Sequence, residues 1–90
     1  MDFSIIKTVN NLLEKKGKKM SYAVLVEPEQ GSISPAIKIY HVTLFKIIYG
    51  EFMSKMIVEK FTIGGVYKDP EIVKTVISER LLEYFLDNGI

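Results

Sequence analysis

The stretch from Ala36 to Tyr49 constrains the fold more than any other part of this chain. Nine of its fourteen residues are β-branched or aromatic. Such side chains lose rotamer freedom in a helix and pack well on a pleated sheet, so the stretch predicts a strand. A helix is the alternative, because Ser34-Pro35 is also a suitable helix start.

Within this stretch, apolar and polar side chains alternate as they do in a half-buried strand. Ile37, Ile39 and His41 lie on one side, and the alternation is interpreted as slipping near Thr43. A slip of this kind predicts one long bent strand with a bulge, or two strands joined by a tight corner.

The segment Asp2–Lys16 is predicted to form the first helix. Its apolar residues recur at helical spacing, which marks one face for burial: Ile5, Ile6, Val9, Leu12 and Leu13. Asp2 or Ser4 is expected to cap the start of this helix, and Gly17 to end it.

Two further strands are predicted on either side of the central one. Met20–Glu27 is apolar on both faces, which is typical of a strand inside a sheet, and Pro28–Pro35 has the composition of a surface loop. Phe52–Ile63 is predicted as the third strand, ended by Gly64-Gly65. For Phe52–Lys60 a helix stays open, because acidic and basic residues there are spaced for helical ion pairs.

The second helix is predicted to start at Asp69-Pro70-Glu71 and to run to about Asp87. Asp69 is a capping residue, Pro70 suits the first helical position, and Gly89 suits the position after the helix.

These segments predict a single small α+β domain spanning residues 1–90. Its order is helix, three strands, helix, with a three-stranded antiparallel sheet and both helices packed on one face. The chain is 48% hydrophobic over 90 residues, which is enough to form a core.

The inventory of reactive side chains argues against catalysis. The chain has no cysteine, which removes disulfides, a thiolate nucleophile and cysteine-based metal sites. His41 is the only histidine, and no residue is spaced from it as a triad or a metal site requires. We therefore expect a non-enzymatic protein with no catalytic residue, no cofactor and no metal.

No apolar run approaches the length that crosses a bilayer, and the first residues lack a basic leader with a cleavage site. The expectation is a cytoplasmic protein without membrane contact. An accessory or regulatory protein of a phage or another mobile element would fit this size and composition.

The second helix carries the surface from which we predict function. Its core stripe is predicted to be Val73, Val76, Ile77, Leu81 and Tyr84. Leu82 and Leu86 lie roughly opposite that stripe, with Phe85 at its margin. The sequence therefore predicts a protein–protein interaction module that contacts another protein or a second copy, as a homodimer, through Leu82, Phe85, Leu86 and Ile90.

The alternative function is nucleic-acid binding. Lys15, Lys16, Lys18 and Lys19 form the densest run of charge, at the negative end of the first helix. Lys38 and Tyr40 would continue this patch across the sheet. Lysine with tyrosine on one sheet face is typical of proteins that bind single-stranded nucleic acid.

Overall fold

The structure, a computed structural model, describes residues 2–29, 38–65 and 69–90. Its elements follow the predicted order: α1 (Ser4–Lys15), β1 (Met20–Pro28), β2 (Lys38–Ile48), β3 (Ser54–Gly65) and α2 (Pro70–Asn88). The α+β class is confirmed, and so are strands in place of the two helical alternatives. The predicted loop Pro28–Pro35 and the start of the central strand fall largely on residues 30–37, outside the described residues.

The sheet is antiparallel with the order β1-β2-β3, so β2 is the central strand. The pairing of β1 with β2 runs from Met20 opposite Ile48 to Pro28 opposite Tyr40. The prediction that β1 lies inside the sheet is wrong, because β1 is an edge strand. β1 is apolar on both faces for a different reason. One face packs against the helices, and the other continues an apolar surface of the sheet.

A bulge interrupts the pairing of β2 with β3. Leu44 pairs with Glu59 whereas Phe45 pairs with Ile57, which makes Val58 the extra residue. The prediction of a slip near Thr43 therefore placed the irregularity in the wrong strand. The irregularity lies at that level of the sheet but belongs to β3, while β2 keeps one alternation throughout. β3 also continues through Gly64 and Gly65, which were expected to end it.

Both helices cover the same face of the sheet, with α1 over β1 and α2 over β3. The buried residues come from all five elements: Phe3, Val9, Leu13, Tyr22, Val42, Leu44, Phe61, Ile63, Val73, Ile77, Leu81 and Phe85. The rings of Tyr22 and Phe85 meet edge to face with their centroids 5.0 Å apart, which joins β1 to α2.

A side chain of α1 ties this helix to the exposed edge of β1. Asn10 Oδ1 accepts a hydrogen bond from the Tyr22 N–H at 2.8 Å, and Asn10 Nδ2 donates to the Tyr22 carbonyl at 3.0 Å. An edge strand presents backbone groups that have no partner within the sheet. The Asn10 amide fills the place that another strand would take.

The start of α1 differs from the prediction. Phe3 occupies the N-cap position without a side-chain hydrogen bond, so neither Asp2 nor Ser4 caps this helix. Phe3 is buried, and burial of its ring rather than a polar cap holds the helix start. Gly17 ends the helix as predicted, with φ of 69°, a left-handed conformation that favours glycine.

The start of α2 is capped as predicted, and its contribution can be measured. The Asp69 side chain accepts a hydrogen bond from the Glu71 N–H at 2.9 Å. Asp69→Ala should lower the free energy of unfolding by about 1 kcal/mol, because that N–H loses its partner. Asp69→Asn, which keeps an acceptor, is the control, and both are measured by urea denaturation. Equal stability of the two variants would contradict this role.

Candidate interaction surface

The face of the sheet opposite the helices, called the open face below, has no helix packed on it in the described part of the chain, although neighbouring side chains on that face bury Thr43. Alternation along each strand and the pairing register assign its residues. They are Ser21, Ala23, Leu25 and Glu27 of β1, Ile39, His41, Thr43, Phe45 and Ile47 of β2, and Lys55, Ile57, Lys60 and Thr62 of β3.

The middle of the open face is apolar. Ala23, Phe45 and Ile57 form one row across the three strands, and Leu25 lies beside them in the next row. Leu25 and Ile57 are 45% and 54% exposed. Antiparallel sheets that expose one face to water normally alternate apolar with polar side chains. Here the exposed side of the central strand is apolar as well.

A lysine of the open face partly covers this row. Lys55 Nζ lies 4.2 Å from the centroid of the Phe45 ring. Such a cation–π contact at an exposed site stabilises by about 0.5–1 kcal/mol. Phe45 is only half-buried, so a partner that excludes water would bury the rest of its ring and add to its stabilisation.

His41 lies towards the other end of the open face. Its Nε2 is 3.3 Å from Glu29 Oε1, and its Nδ1 is 3.5 Å from Thr62 Oγ1. The histidine is exposed. Within residues 2–29, 38–65 and 69–90, no three His, Asp or Glu side chains are grouped so that they could hold a metal ion.

The surface predicted on α2 is only partly present. Leu82, Leu86 and Ile90 are exposed and recur every four residues, which places them on one outward stripe. Phe85 is only 4% exposed and packs against the rings of Tyr22 and Tyr84, so its assignment to an interface is wrong. The core stripe of α2 turns towards Phe85 because that ring meets Tyr22 of β1.

The lysines and tyrosines of the sheet do not share one face. Lys38 and Tyr40 lie on the helix side, where Tyr40 packs against the core, while Lys55 and Lys60 lie on the open face. The prediction of a combined lysine–tyrosine face including Tyr40 is therefore wrong. The run Lys15, Lys16, Lys18 and Lys19 is exposed where α1 leads into β1.

Among the buried core residues that the structure describes, Tyr22 is the only one with a titratable side chain. Burial raises the pKa of its hydroxyl above the ordinary value of 10.0, and the nearby Tyr84 hydroxyl adds to that shift. Both causes favour the neutral form. Tyr22 therefore adds no charge to the core at neutral pH.

Among the described helices, neither is long and apolar enough to pass through a bilayer. Comparisons with protein-family models, with curated proteins and with solved structures found no match. Function must therefore be argued from the surfaces themselves. The prediction of both helices on one face implied an open face, but its apolar middle was not predicted. One signal in the sequence pointed to it, namely that β2 is apolar at both odd and even positions.

Proposed function

We propose that this protein is a non-enzymatic protein-interaction module whose partner is a second copy of the chain, bound through the open face. The observation that carries the proposal is the apolar row of half-buried Ala23, half-buried Phe45 and exposed Ile57, with exposed Leu25 beside it. Contiguous apolar surface of this kind is typical of sites where proteins associate.

The apolar row is complementary to itself. Sheets that pack face to face align their strands within about 30° and lie about 10 Å apart. A twofold axis parallel to the strands reverses each row, so that Ala23 of one copy faces Ile57 of the other, while Phe45 faces Phe45. A small residue then meets a large one on each side of the central ring pair.

Charges at the edges of the open face follow the same pattern. Glu27 lies on β1 at the level of Thr62, and Lys60 lies on β3 two residues from Thr62. In the reversed arrangement, Glu27 of one copy comes beside Lys60 of the other. The opposite charges favour this orientation over one that stacks β1 on β1.

The outward stripe of α2 is a weaker candidate for self-association. Leu82, Leu86 and Ile90 form a single line, with Glu79 and Glu83 beside it. Two copies of this stripe, related by a twofold axis, would bring like charges together. The open face offers a broader apolar area with opposite charges at its edges.

The proposal is tested by measuring molar mass with size-exclusion chromatography and light scattering. The native chain should have twice the mass of a single 10.3 kDa chain. Ala23→Glu combined with Ile57→Glu should yield the single-chain mass, because these two positions face each other across the twofold axis and the substitutions place carboxylates opposite carboxylates in the apolar interface. Circular dichroism should show that the variant remains folded.

The matched control is Leu82→Glu combined with Leu86→Glu, which adds the same two charges to the α2 stripe. This variant should keep the double mass. A native chain with the single-chain mass would refute self-association. If only the α2 variant lost the dimer mass, the interface would lie on α2, as predicted from the sequence.

The orientation of the two copies is tested by exchanging charges. Glu27→Lys alone and Lys60→Glu alone should each weaken the dimer, because each places like charges side by side. The double exchange should restore it, since the opposite pair is re-formed across the interface. Additive weakening in the double variant would contradict the twofold arrangement.

A further inference from the structure

The turn of the β2–β3 hairpin lies beyond the end of α2, at the end of the molecule where α1 leads into β1. Glu59 of β3 borders the same surface depression as Asp87 and Asn88 at the end of α2. The strand continues from Glu59 to Ser54, about 16 Å further, before the turn begins. The molecule is elongated, measuring 46 Å against 23 and 21 Å.

The turn of this hairpin is apolar and exposed. Phe52 is 83% exposed and Met53 is 68% exposed, the first and third most exposed large apolar side chains among the described residues. Tyr49 and Met56 flank them and are each nearly half exposed. The rest of the domain therefore does not bury the side chains of Phe52 and Met53.

Basic residues surround the same end. The Tyr49 N–H donates a hydrogen bond to the Lys19 carbonyl at 2.8 Å, which brings the start of β1 next to the hairpin turn. Five lysines lie around this end, namely Lys15, Lys16, Lys18, Lys19 and Lys46, whereas the Lys55 ammonium lies over the Phe45 ring. The acidic residues among them are Glu14 and Glu51. The acidic group formed by Glu59, Glu83 and Asp87 lies further back, beside α2.

We propose that this hairpin end docks on the surface of an anionic phospholipid membrane. Phe52 and Met53 enter the boundary between headgroups and acyl chains, and the lysines contact the lipid phosphates. Peripheral membrane binding combines buried apolar area with attraction between basic residues and anionic lipids, and this end of the molecule supplies both. The expectation of no membrane contact rested on the lack of a spanning segment, which docking by a tip does not need.

A single-stranded nucleic acid fits this end less well. Such ligands bind to aromatic platforms on which successive bases stack, along a basic groove. Met53 and Met56 offer no stacking surface, and the apolar residues form a projecting tip rather than a groove. Membrane docking does not depend on the proposed dimer. In the twofold arrangement, however, both hairpin ends point the same way and could reach one membrane together.

The test is flotation of the full chain with vesicles, at matched protein and lipid concentrations. The protein should float with vesicles of equal parts phosphatidylserine and phosphatidylcholine, and not with vesicles of phosphatidylcholine alone. Raising the salt concentration from about 0.1 M to 1 M should release it, because the screening length falls from about 10 Å to 3 Å.

Three variants separate the contributions to binding. Phe52→Ser with Met53→Ser should weaken vesicle binding by about tenfold or more, because the tip no longer enters the membrane. Lys18→Gln with Lys19→Gln should weaken it by about 25-fold, at about fivefold for each lysine. Leu86→Ser, which removes an equally exposed side chain from α2, should bind as the native chain does.

Insertion itself has a spectroscopic signal. The chain has no tryptophan, so Phe52→Trp introduces a single reporter at the tip. Its emission should move to shorter wavelength when phosphatidylserine vesicles are added. No binding to these vesicles at low salt, or binding that the Phe52/Met53 variant leaves unchanged, would overturn the proposal. Tighter binding to a single-stranded oligonucleotide than to the vesicles would overturn it in favour of nucleic acid.

Discussion

Replacing Leu44 with alanine should lower the free energy of unfolding by about 2–5 kcal/mol, among the largest stability effects expected in this protein. Leu44 is fully buried at the centre of β2, where both helices pack over the sheet. The substitution removes apolar contacts and leaves a cavity that the surrounding residues can fill only in part. For a domain of this size, the melting temperature should fall by about 4–8 °C for each kcal/mol lost.

Two controls define the effect of Leu44. Leu44→Met keeps nearly the same volume and should cost less than about 1.5 kcal/mol. Leu86→Ala deletes the same atoms from a side chain that is 74% exposed, and should change stability by less than about 0.5 kcal/mol. All variants are compared at one protein concentration, because the proposed dimer would make apparent stability depend on concentration. Equal losses for Leu44→Ala and Leu86→Ala would contradict the described core.

Asn10→Ala should destabilise the protein by about 2 kcal/mol. The asparagine amide makes both a donated and an accepted hydrogen bond with the backbone of Tyr22. Its removal leaves a partly buried N–H and carbonyl at the edge of β1 without their partner, and each such loss costs about 1 kcal/mol or more. The Tyr22 amide should also exchange with solvent faster, because it is no longer hydrogen-bonded.

Asn11→Ala is the matched control for this prediction. Asn11 is exposed on the same helix, and alanine at either position raises helix propensity by the same amount. The difference between the two variants in urea denaturation therefore isolates the contact with β1. If both variants were as stable as the native chain, the contact between Asn10 and Tyr22 would contribute nothing measurable.

Both helices could be predicted from the sequence because their signals are local. The spacing of apolar residues in α1, the left-handed Gly17 after it, and Asp69-Pro70 at the start of α2 act within one or two turns of chain. The strand in the central stretch was equally clear, because β-branched and aromatic side chains disfavour a helix at each position.

Features that depend on contacts between elements were predicted less well. Phe85 and Tyr84 are adjacent at the border of the apolar stripe of α2, and either could have faced the core. The ring of Tyr22, far away in sequence, selects Phe85. Phe3 similarly replaces a polar cap at α1, because the sheet offers its ring a buried position.

For the candidate surfaces too, the sequence shows which residues are present, and only the fold shows where they lie. The lysine run Lys15–Lys19 is evident in the sequence, but its place beside Tyr49 depends on a backbone hydrogen bond across 30 positions of the chain. The apolar character of both sides of β2 is also evident. Which side receives the helices is not, and that choice assigns Phe45 to the open face and Leu44 to the core.

The sequence by itself determined the order of elements and the class of fold, because helix periodicity, capping residues and β-branched side chains act over short distances. It also determined that no cysteine chemistry is available to this chain. Only the tertiary structure decided which face of the sheet stays open, which strand carries the bulge, and which residues meet at the hairpin end. Those features arise from packing between segments distant in sequence, where side chains with similar local preferences compete for the same buried volume.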